Sequence, residues 1–160
     1  MMYRLWQLLQ QFKTVKMYRF SSRSLSRLEY VTPILIAILE EGIKDSPYDF
    51  GIPRDGGFRT FRRQEELYAR GRTTEQLIEK GITDLEGRPD KSRITWTLKS
   101  MHMTGRAFDI YAFVGKQASW NMDYLEPIAR HLQEVALKHG VILNWGYDLW
   151  GKDGAHFQID

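Results

Sequence analysis

The sequence predicts an α+β fold in which a small, mainly antiparallel sheet is backed by helices. Three observations favour this class. The 160 residues suit one compact domain, since domains usually run to roughly 100–200 residues. Short strand-like segments alternate with longer helical ones, and no apolar run approaches the roughly 20 residues of a membrane span. Finally, 42 % of the residues are hydrophobic and 27 % are charged, which supports a packed core and excludes wholesale disorder.

Hydrophobic periodicity and the residues that begin or end helices predict each element in turn. The first helix covers residues 22–30, with Leu25 and Leu28 facing the core. The second covers residues 34–43 and is apolar nearly all round, which indicates a buried helix. Pro33 at its first position is typical of a helix start, because proline lacks the amide hydrogen that is unpaired there.

The later elements surround a long polar segment. We expect a strand at 49–52, a helix within 64–70, a strand at 106–111, a helix at 122–139, and strands at 141–145 and 155–159. The helix at 122–139 is the clearest, because its apolar residues form one stripe and Gly140 ends it. The 71–99 loop contains a polar, charge-mixed stretch at 84–93 that is expected to be exposed, and an extra helical turn is expected at 75–80.

The net charge of +3 belongs to the N-terminus. Residues 1–16 hold three basic side chains and no acidic one, whereas residues 17–160 hold equal numbers of each. We therefore divide the chain into an N-terminal amphipathic extension (1–16) and a single domain (17–160), and we disfavour a nucleic-acid binder, which would spread a basic face over its fold. The extension packs on the domain, precedes a true start at Met17, or touches an anionic membrane as a basic helix.

Cysteine is absent, which excludes disulfides, thiolate metal sites and a cysteine nucleophile. Any metal must therefore be held by histidine and carboxylate. The chain has 4 histidines. Two of them, His131 and His139, lie in the long predicted helix, where we interpret them as structural residues.

The other two histidines lie near glycines that give the backbone freedom before a predicted strand. His102 and Asp109 flank Gly105, so both side chains can point to one centre, and Gly154 lies just before His156. Two imidazoles and one carboxylate are a common catalytic zinc set that leaves a fourth position for water. Residue types alone leave two interpretations open, a metal site or structural histidines.

The order of these motifs resembles the VanY-type zinc peptidases, which comprise D-alanyl-D-alanine carboxypeptidases and the L-alanyl-D-glutamate endopeptidases of phage endolysins. The matching segments are Ser100-x-His102-x-x-Gly105-x-Ala107-x-Asp109, Asp153-Gly154-x-His156-Phe157, Gly57-Phe58-Arg59-Thr60 followed by Gln64, Leu67-Tyr68-Ala69-Arg70-Gly71-Arg72-Thr73, and Trp145-Gly146-x-Asp148. The resemblance covers roughly residues 22–160 and leaves out residues 1–16. It implies a single-domain zinc peptidase of the D-Ala-D-Ala peptidase/hedgehog-like type.

The resemblance implies that one zinc ion (Zn2+) is held by His102, Asp109 and His156. It also implies that Asp153 is the catalytic base. This agrees with the position of Asp153, three residues before the last ligand, where a carboxylate can take a proton from water and pass it to the leaving amine.

Three further residues receive roles from the resemblance. Arg59 is implied to be both catalytic and substrate-binding, since a fixed cation can bind a substrate oxygen and stabilise the oxyanion. Gln64 and Ser100 are expected to bind substrate, and Ser100 also to support the first metal ligand through a hydrogen bond. The segment 71–100 is longer than the family pattern, so details of substrate binding carry over least there.

Within the family, the motifs favour the L-alanyl-D-glutamate endopeptidase of the endolysin branch. That branch has aspartate at the position of Asp153, where carboxypeptidases tend to have glutamate, and it has the Trp-Gly-x-Asp segment. Residues 1–16 also lack the pattern of a secretory signal, because glutamines interrupt their apolar stretch. The endolysin branch implies a monomer that acts on peptidoglycan peptide stems. It would stay in the host cytoplasm until release and then reach the cell wall or periplasm, without a transmembrane segment or nucleic-acid partner.

Two alternatives accompany this interpretation. A D-alanyl-D-alanine carboxypeptidase would use the same metal site to release the terminal D-alanine of the stem. A non-catalytic zinc-binding module would keep the scaffold and the metal but would have little use for an acid at Asp153.

Overall fold

The computed structural model describes residues 16–160 and contains two small antiparallel sheets packed against helices. The helices are α1 (Ser22–Ser26), α2 (Pro33–Gly42), α3 (Phe61–Tyr68), α4 (Thr74–Ile78), α5 (Met122–Lys138) and α6 (Gly146–Trp150), with a 3₁₀ turn at Met101–Thr104. The strands are β1 (Phe50–Gly51), β2 (Ala107–Asp109), β3 (Tyr111–Val114), β4 (Gln117–Ser119), β5 (Asn144–Trp145) and β6 (His156–Gln158). The predicted α+β class is confirmed, and the predicted extension at 1–16 lies outside the described residues except for its last one.

The main difference from the sequence prediction is that the strands form two sheets. The first has the order β1-β3-β4 and the second β2-β6-β5, with every pair antiparallel. The single strand expected at 106–111 is divided at Ile110, whose amide donates to the carbonyl of Ala155 at 2.9 Å. The chain therefore leaves the second sheet after Asp109 and enters the first as β3.

The hairpin of β3 and β4 was not predicted, although its turn carries a signal. Gly115 and Lys116 both have positive φ, 58° and 64°, and Val114 pairs with Gln117 across them. Positive φ at both central residues is typical of the two-residue turn that matches strand twist. A lysine in that position hid the pattern, because asparagine and glycine are the usual residues there.

Helices α2 and α5 form the centre of the larger core. Leu35, Ile38 and Leu39 from α2 are fully buried, as is Leu132 in the predicted stripe of α5. The prediction for Leu25 is wrong: α1 ends at Ser26, and Leu25 is 46 % exposed. In the part of the chain that the structure describes, no helix is both long and apolar enough to cross a membrane.

Helices α3 and α4, which lie before and within the 71–99 loop, begin with side-chain caps. Thr60 Oγ1 accepts the amide of Arg63 at 3.1 Å at the start of α3. Thr73 and Gln76 form a reciprocal capping box at the start of α4, which satisfies two amides that the helix leaves unpaired. The predicted extra turn in the 71–99 loop is confirmed as α4.

The two faces of the second sheet have different compositions. Phe108, Trp145 and Phe157 are fully buried and stack on one face, with the rings of Phe108 and Phe157 5.0 Å apart. Because side chains alternate along a strand, the neighbours Asp109 and His156 lie on the opposite face. The aromatic core thus supports a polar surface, which is where the candidate site lies.

Candidate metal centre and active-site cleft

Three predicted ligands converge on the polar face of the second sheet. The distance from His102 Nε2 to Asp109 Oδ1 is 3.2 Å, that from His102 Nε2 to His156 Nδ1 is 3.2 Å, and that from His156 Nδ1 to Asp109 Oδ1 is 3.1 Å. His102 and His156 are buried, and Asp109 is half-buried. Among the described residues this is the one group of three or more His, Asp or Glu side chains that could hold a metal ion.

Strand pairing brings two of the ligands together. Asp109 ends β2 and lies directly opposite His156, the first residue of β6. Side chains directly opposite each other in an antiparallel pair share one face, with Cβ atoms about 5 Å apart. The pairing of β2 with β6 therefore brings together Asp109 and His156, which are far apart in the sequence.

His102 reaches the same point from the 3₁₀ turn before β2. Ser100 Oγ accepts the amide of His102 at 3.3 Å and so begins this turn. Gly105 ends it with φ of 70°, and a Cβ at that position would collide with the carbonyl oxygen of Tyr30. Glycine is required there by both conformation and space. Ser100 thus supports the first ligand through its backbone, in line with one of its two expected roles.

Hydrogen bonds to the far ring nitrogens determine the tautomer of each histidine. Nδ1 of His102 lies 2.8 Å from the carbonyl oxygen of Gly57, and Nε2 of His156 lies 3.0 Å from Oε1 of Gln158. A carbonyl oxygen can only accept, so each of these nitrogens carries the proton. In the neutral form of each imidazole, Nε2 of His102 and Nδ1 of His156 therefore present lone pairs to each other and to the Asp109 carboxylate.

This donor set fits a tetrahedral zinc ion. Two ligands at about 2.0–2.1 Å from such an ion lie roughly 3.3 Å from each other, close to the three distances in this cluster. Three facing acceptors repel one another unless a cation or a proton lies between them. Histidines whose other nitrogen donates to a carbonyl oxygen are also typical of metal sites. The residues thus fit a metal with two nitrogens and one oxygen, and the set leaves a position for water.

Arg59 holds the second oxygen of the Asp109 carboxylate. Its Nη2 donates to Asp109 Oδ2 at 2.8 Å, while Nε donates to the carbonyl of Asp55 at 2.6 Å. Burial alone would raise the pKa of Asp109, but the positive charge that His102 and His156 carry when protonated, together with their hydrogen bonds, outweighs it and lowers the pKa far below its usual range. Asp109 is therefore ionised and fixed in orientation before any ligand arrives.

Gln64 lies behind Arg59 and away from the cleft surface. It is fully buried. Its Oε1 accepts from Arg59 Nη1 at 3.4 Å, and its Nε2 donates to Thr95 Oγ1 at 3.1 Å and to the carbonyl of Thr97 at 2.8 Å. The sequence analysis expected Gln64 to bind substrate. In the structure both polar atoms of its side chain are instead hydrogen-bonded within the protein.

Asp153 lies at the open side of the cluster. It is an exposed residue with φ of 66°, a conformation that aspartate tolerates better than most residues. Partial desolvation of its carboxyl raises its pKa, and the nearby charge of Asp109 raises it further. The carboxyl is thus exposed to ligands and shifted towards the neutral range, both of which suit a group that accepts a proton.

The cluster forms the floor of a cleft of about 630 Å³, which is within the usual size of ligand sites. Its walls come from the end of the 71–99 loop, the 3₁₀ turn and the loop before β6: Ile94, Thr95, Trp96, Thr97, Lys99, Ser100, Met101, Trp150, Lys152, Asp153 and Ala155. Arg59 and Gln158 also line it. Sequence reasoning missed most of these wall residues, since exposed lysines and tryptophans in loops carry no periodic signal.

One missed residue, Gln158, did have a signal. It lies two positions after His156 on a strand, and residues spaced by two share a face. The carbonyl of Gly57 had no such signal, because every residue has a main-chain carbonyl and the sequence does not show which one accepts a hydrogen bond from a histidine.

The other candidates from the sequence lie outside the cleft. Asp148, from the Trp-Gly-x-Asp segment, lies in α6 and forms an ion pair with Arg130, with a shortest distance of 2.6 Å. His131 Nε2 lies 2.8 Å from the carbonyl of Gly42, and His139 Nε2 lies 2.6 Å from Glu41 Oε2. Both histidines thus bind α5 to the end of α2.

Comparison with known proteins agrees with this geometry. A family model described as D-alanyl-D-alanine carboxypeptidase matches residues 93–159. The L-alanyl-D-glutamate peptidase of Escherichia phage T5 is 25% identical over 140 residues, which are 87% of this chain and 86% of that protein.

A solved structure gives the same result. The Serratia marcescens L-Ala D-Glu endopeptidase ChiX has 28% sequence identity and a TM-score of 0.66, with 92% of this chain and 94% of that chain covered. The region that the family model matches, residues 93–159, contains His102, Asp109 and His156. These comparisons support the resemblance to the VanY-type peptidases that the motifs indicate.

Proposed function

We propose that the protein is a zinc-dependent endopeptidase that cleaves the L-alanyl-D-glutamate bond in the peptide stems of bacterial peptidoglycan. The observation that carries the proposal is the set of three facing lone pairs, from His102, Asp109 and His156, at the floor of an open cleft. Both full-length relatives described above are named for this activity. We further propose that the protein acts at the cell wall.

His102, Asp109 and His156 would hold one zinc ion, with Arg59 fixing the carboxylate ligand from behind. Zinc in such a site supplies Lewis acidity that polarises a carbonyl and lowers the pKa of water. The two histidines would enter this role in the correct tautomer, because the carbonyl oxygen of Gly57 and Oε1 of Gln158 accept hydrogen bonds from their other ring nitrogens. Little reorganisation is then needed when the metal binds.

Asp153 would act as general base towards the attacking water and return the proton to the leaving amine. Its carboxyl group is exposed at the cleft, and its pKa is raised, so proton transfer in both directions is easier than for an ordinary aspartate. A non-catalytic zinc module would place no such demand on this residue. If a substitution of Asp153 abolishes turnover while the metal stays bound, the protein is a peptidase and not a non-catalytic zinc-binding module.

Arg59 would stabilise charge on the scissile carbonyl oxygen. Its guanidinium has five N–H groups; bonds to Asp55, Gln64 and Asp109 use three of them. The remaining two belong to the terminal nitrogens, and Arg59 lines the cleft. A buried, fixed cation that still has free donors suits an oxygen on which charge develops.

A carboxypeptidase is the second candidate, because the matching family model is described as a D-alanyl-D-alanine carboxypeptidase. The two activities differ in their products. An endopeptidase leaves new L-alanine carboxyl termini and D-glutamate amino termini, whereas a carboxypeptidase releases free D-alanine.

Digestion of purified peptidoglycan with mass spectrometry of the products tests the proposal, with metal analysis of the same sample. We expect about one zinc ion per chain and new termini at the L-alanyl-D-glutamate bond. Release of D-alanine alone would establish the carboxypeptidase instead. Bound zinc with intact peptidoglycan would favour the non-catalytic module.

A further inference from the structure

Two lysines in the cleft wall have no role in the proposed chemistry. Lys99 and Lys152 both line the cleft and are exposed. Within residues 16–160, neither ammonium group has a carboxylate within ion-pairing distance. The charge of the third cation of the cleft, Arg59, is paired with Asp109. Lys99 and Lys152 are therefore the free positive charges that an incoming ligand meets.

Lys152 is positioned by the ring of Trp96. Its Nζ lies 5.5 Å from the ring centroid, and the Arg93 guanidinium lies 5.0 Å from the same ring. The side chain of Trp96 is 66 % exposed, so it is held in place by these two cations more than by packing in the core. A cation near an aromatic face is attracted to it, and this contact holds the Lys152 ammonium beside the cleft, next in sequence to Asp153.

Lys99 is presented by a closed local loop. Its amide donates to Thr97 Oγ1 at 2.9 Å, and the same hydroxyl donates to the carbonyl of Lys99 at 2.9 Å. The carbonyl of Thr97 in turn accepts from Gln64, which also contacts Arg59. The backbone that carries Lys99 is thus connected by hydrogen bonds to the support of the metal centre.

We propose that Lys99 and Lys152 form a carboxylate subsite, which selects peptides that carry a free carboxylate on the residue beside the scissile bond. This inference rests on the proposed function. The substrate feature that the cleft would recognise is the free carboxylate. When D-glutamate is linked through its γ-carboxyl, its α-carboxylate stays free in this position. Such a group would be repelled by Asp153, and two nearby ammonium groups offset that repulsion.

Two matched peptides test this subsite: L-alanyl-γ-D-glutamyl-L-lysine and its D-isoglutaminyl counterpart, in which the α-carboxylate is a carboxamide. We expect the zinc-loaded wild type to prefer the carboxylate by about 5- to 30-fold in kcat/KM, the range for charge-assisted hydrogen bonds at partly exposed positions. K152M should lose most of this preference, mainly through KM, while its rate on the carboxamide stays within about twofold. K152R should retain the preference for the carboxylate peptide. The double variant K99M/K152M should show a smaller preference than K152M alone.

K138M is the matched control, because Lys138 is an exposed lysine at the end of α5 outside the cleft. Equal cleavage of the two peptides by the wild type would overturn the subsite, as would an equal loss on both peptides in K152M. Calorimetric binding of both peptides to zinc-loaded D153N gives a readout without turnover. Tighter binding of the carboxylate supports the subsite, and equal or weaker binding refutes it. Failure of the wild type to cleave either peptide or peptidoglycan would instead overturn the proposed function.

Discussion

The floor and the wall of the cleft are built in different ways. On the floor, His102, Asp109 and His156 are buried or half-buried, and each is held by at least two polar contacts. On the wall, Trp96 and Lys152 are exposed and contact each other mainly through a ring face. The floor therefore has the geometry of a rigid metal centre, and the wall has that of a surface which adapts to ligands.

This difference separates two kinds of effect. A change on the floor alters the charge or the orientation of a proposed metal ligand, and low exposure makes each lost partner costly. A change on the wall removes a weak, solvent-screened contact, so it alters which substrate binds and leaves the metal in place. Mutations in the two regions should therefore be distinguishable by metal content as well as by rate.

Removal of a metal ligand should have the largest effect. H156A is expected to lose stoichiometric metal binding and to reduce peptidoglycan cleavage by at least roughly 10³-fold, because the two remaining ligands cannot close the site. Metal analysis after gel filtration and a cleavage assay measure both quantities. H131A is the matched control, since His131 also contacts a carbonyl and an acid, but should retain both metal and activity. Full metal content in H156A would contradict the assignment of the floor.

The candidate base should separate chemistry from metal binding. D153N removes the proton acceptor and is expected to lower kcat by roughly 10²- to 10⁴-fold while the metal content stays at about one per chain. D148N changes an aspartate that pairs with Arg130 outside the cleft, and its kcat should stay near that of the wild type. Unchanged kcat in D153N would show that another group accepts the proton.

Local rules predicted that the floor residues can meet, but residue types left a metal site and structural histidines both open, and the resemblance to zinc peptidases favoured the metal site. His102, Asp109 and His156 lie in short motifs with glycines at the turns, and alternation along β2 and β6 places Asp109 and His156 on one face. The long stripe of α5 was equally readable, since its period is a property of the segment itself.

Features that depend on distant partners were missed. The division of the strand at Ile110 requires the carbonyl of Ala155, which is 45 residues away in the sequence. Full burial of Gln64 requires Thr95 and Thr97 to fold over it. Leu25 is exposed although it is apolar, because α1 ends at Ser26 and the longer helical face that Leu25 and Leu28 were expected to share does not form. In each case tertiary contacts decide the outcome, and local patterns do not contain them.

The link between the floor and the wall is Gln64, and its removal should have an intermediate effect. Q64M leaves the Arg59 donor and the Thr95 hydroxyl short of a partner, so we expect the free energy of unfolding to fall by about 1–3 kcal/mol. A less restrained Arg59 should also weaken metal affinity by roughly 10-fold. Denaturant titration and metal competition measure the two effects. Q133M, which changes a glutamine bound to Leu143 and Asp148, should lose stability at most and keep its metal affinity.

The smallest effect should come from the wall. W96L removes the ring that holds Lys152, and a cation–π contact at an exposed site is worth about 0.5–1 kcal/mol, so KM for the carboxylate peptide should rise by roughly 2- to 5-fold. Metal content and kcat should not change, because the hydrogen bonds that orient His102, Asp109 and His156 come from Gly57, Arg59 and Gln158. W120L is the control, since Trp120 is also exposed but lies against Tyr111 away from the cleft. A loss of metal in W96L would mean that floor and wall are coupled, and the distinction between them would then fail.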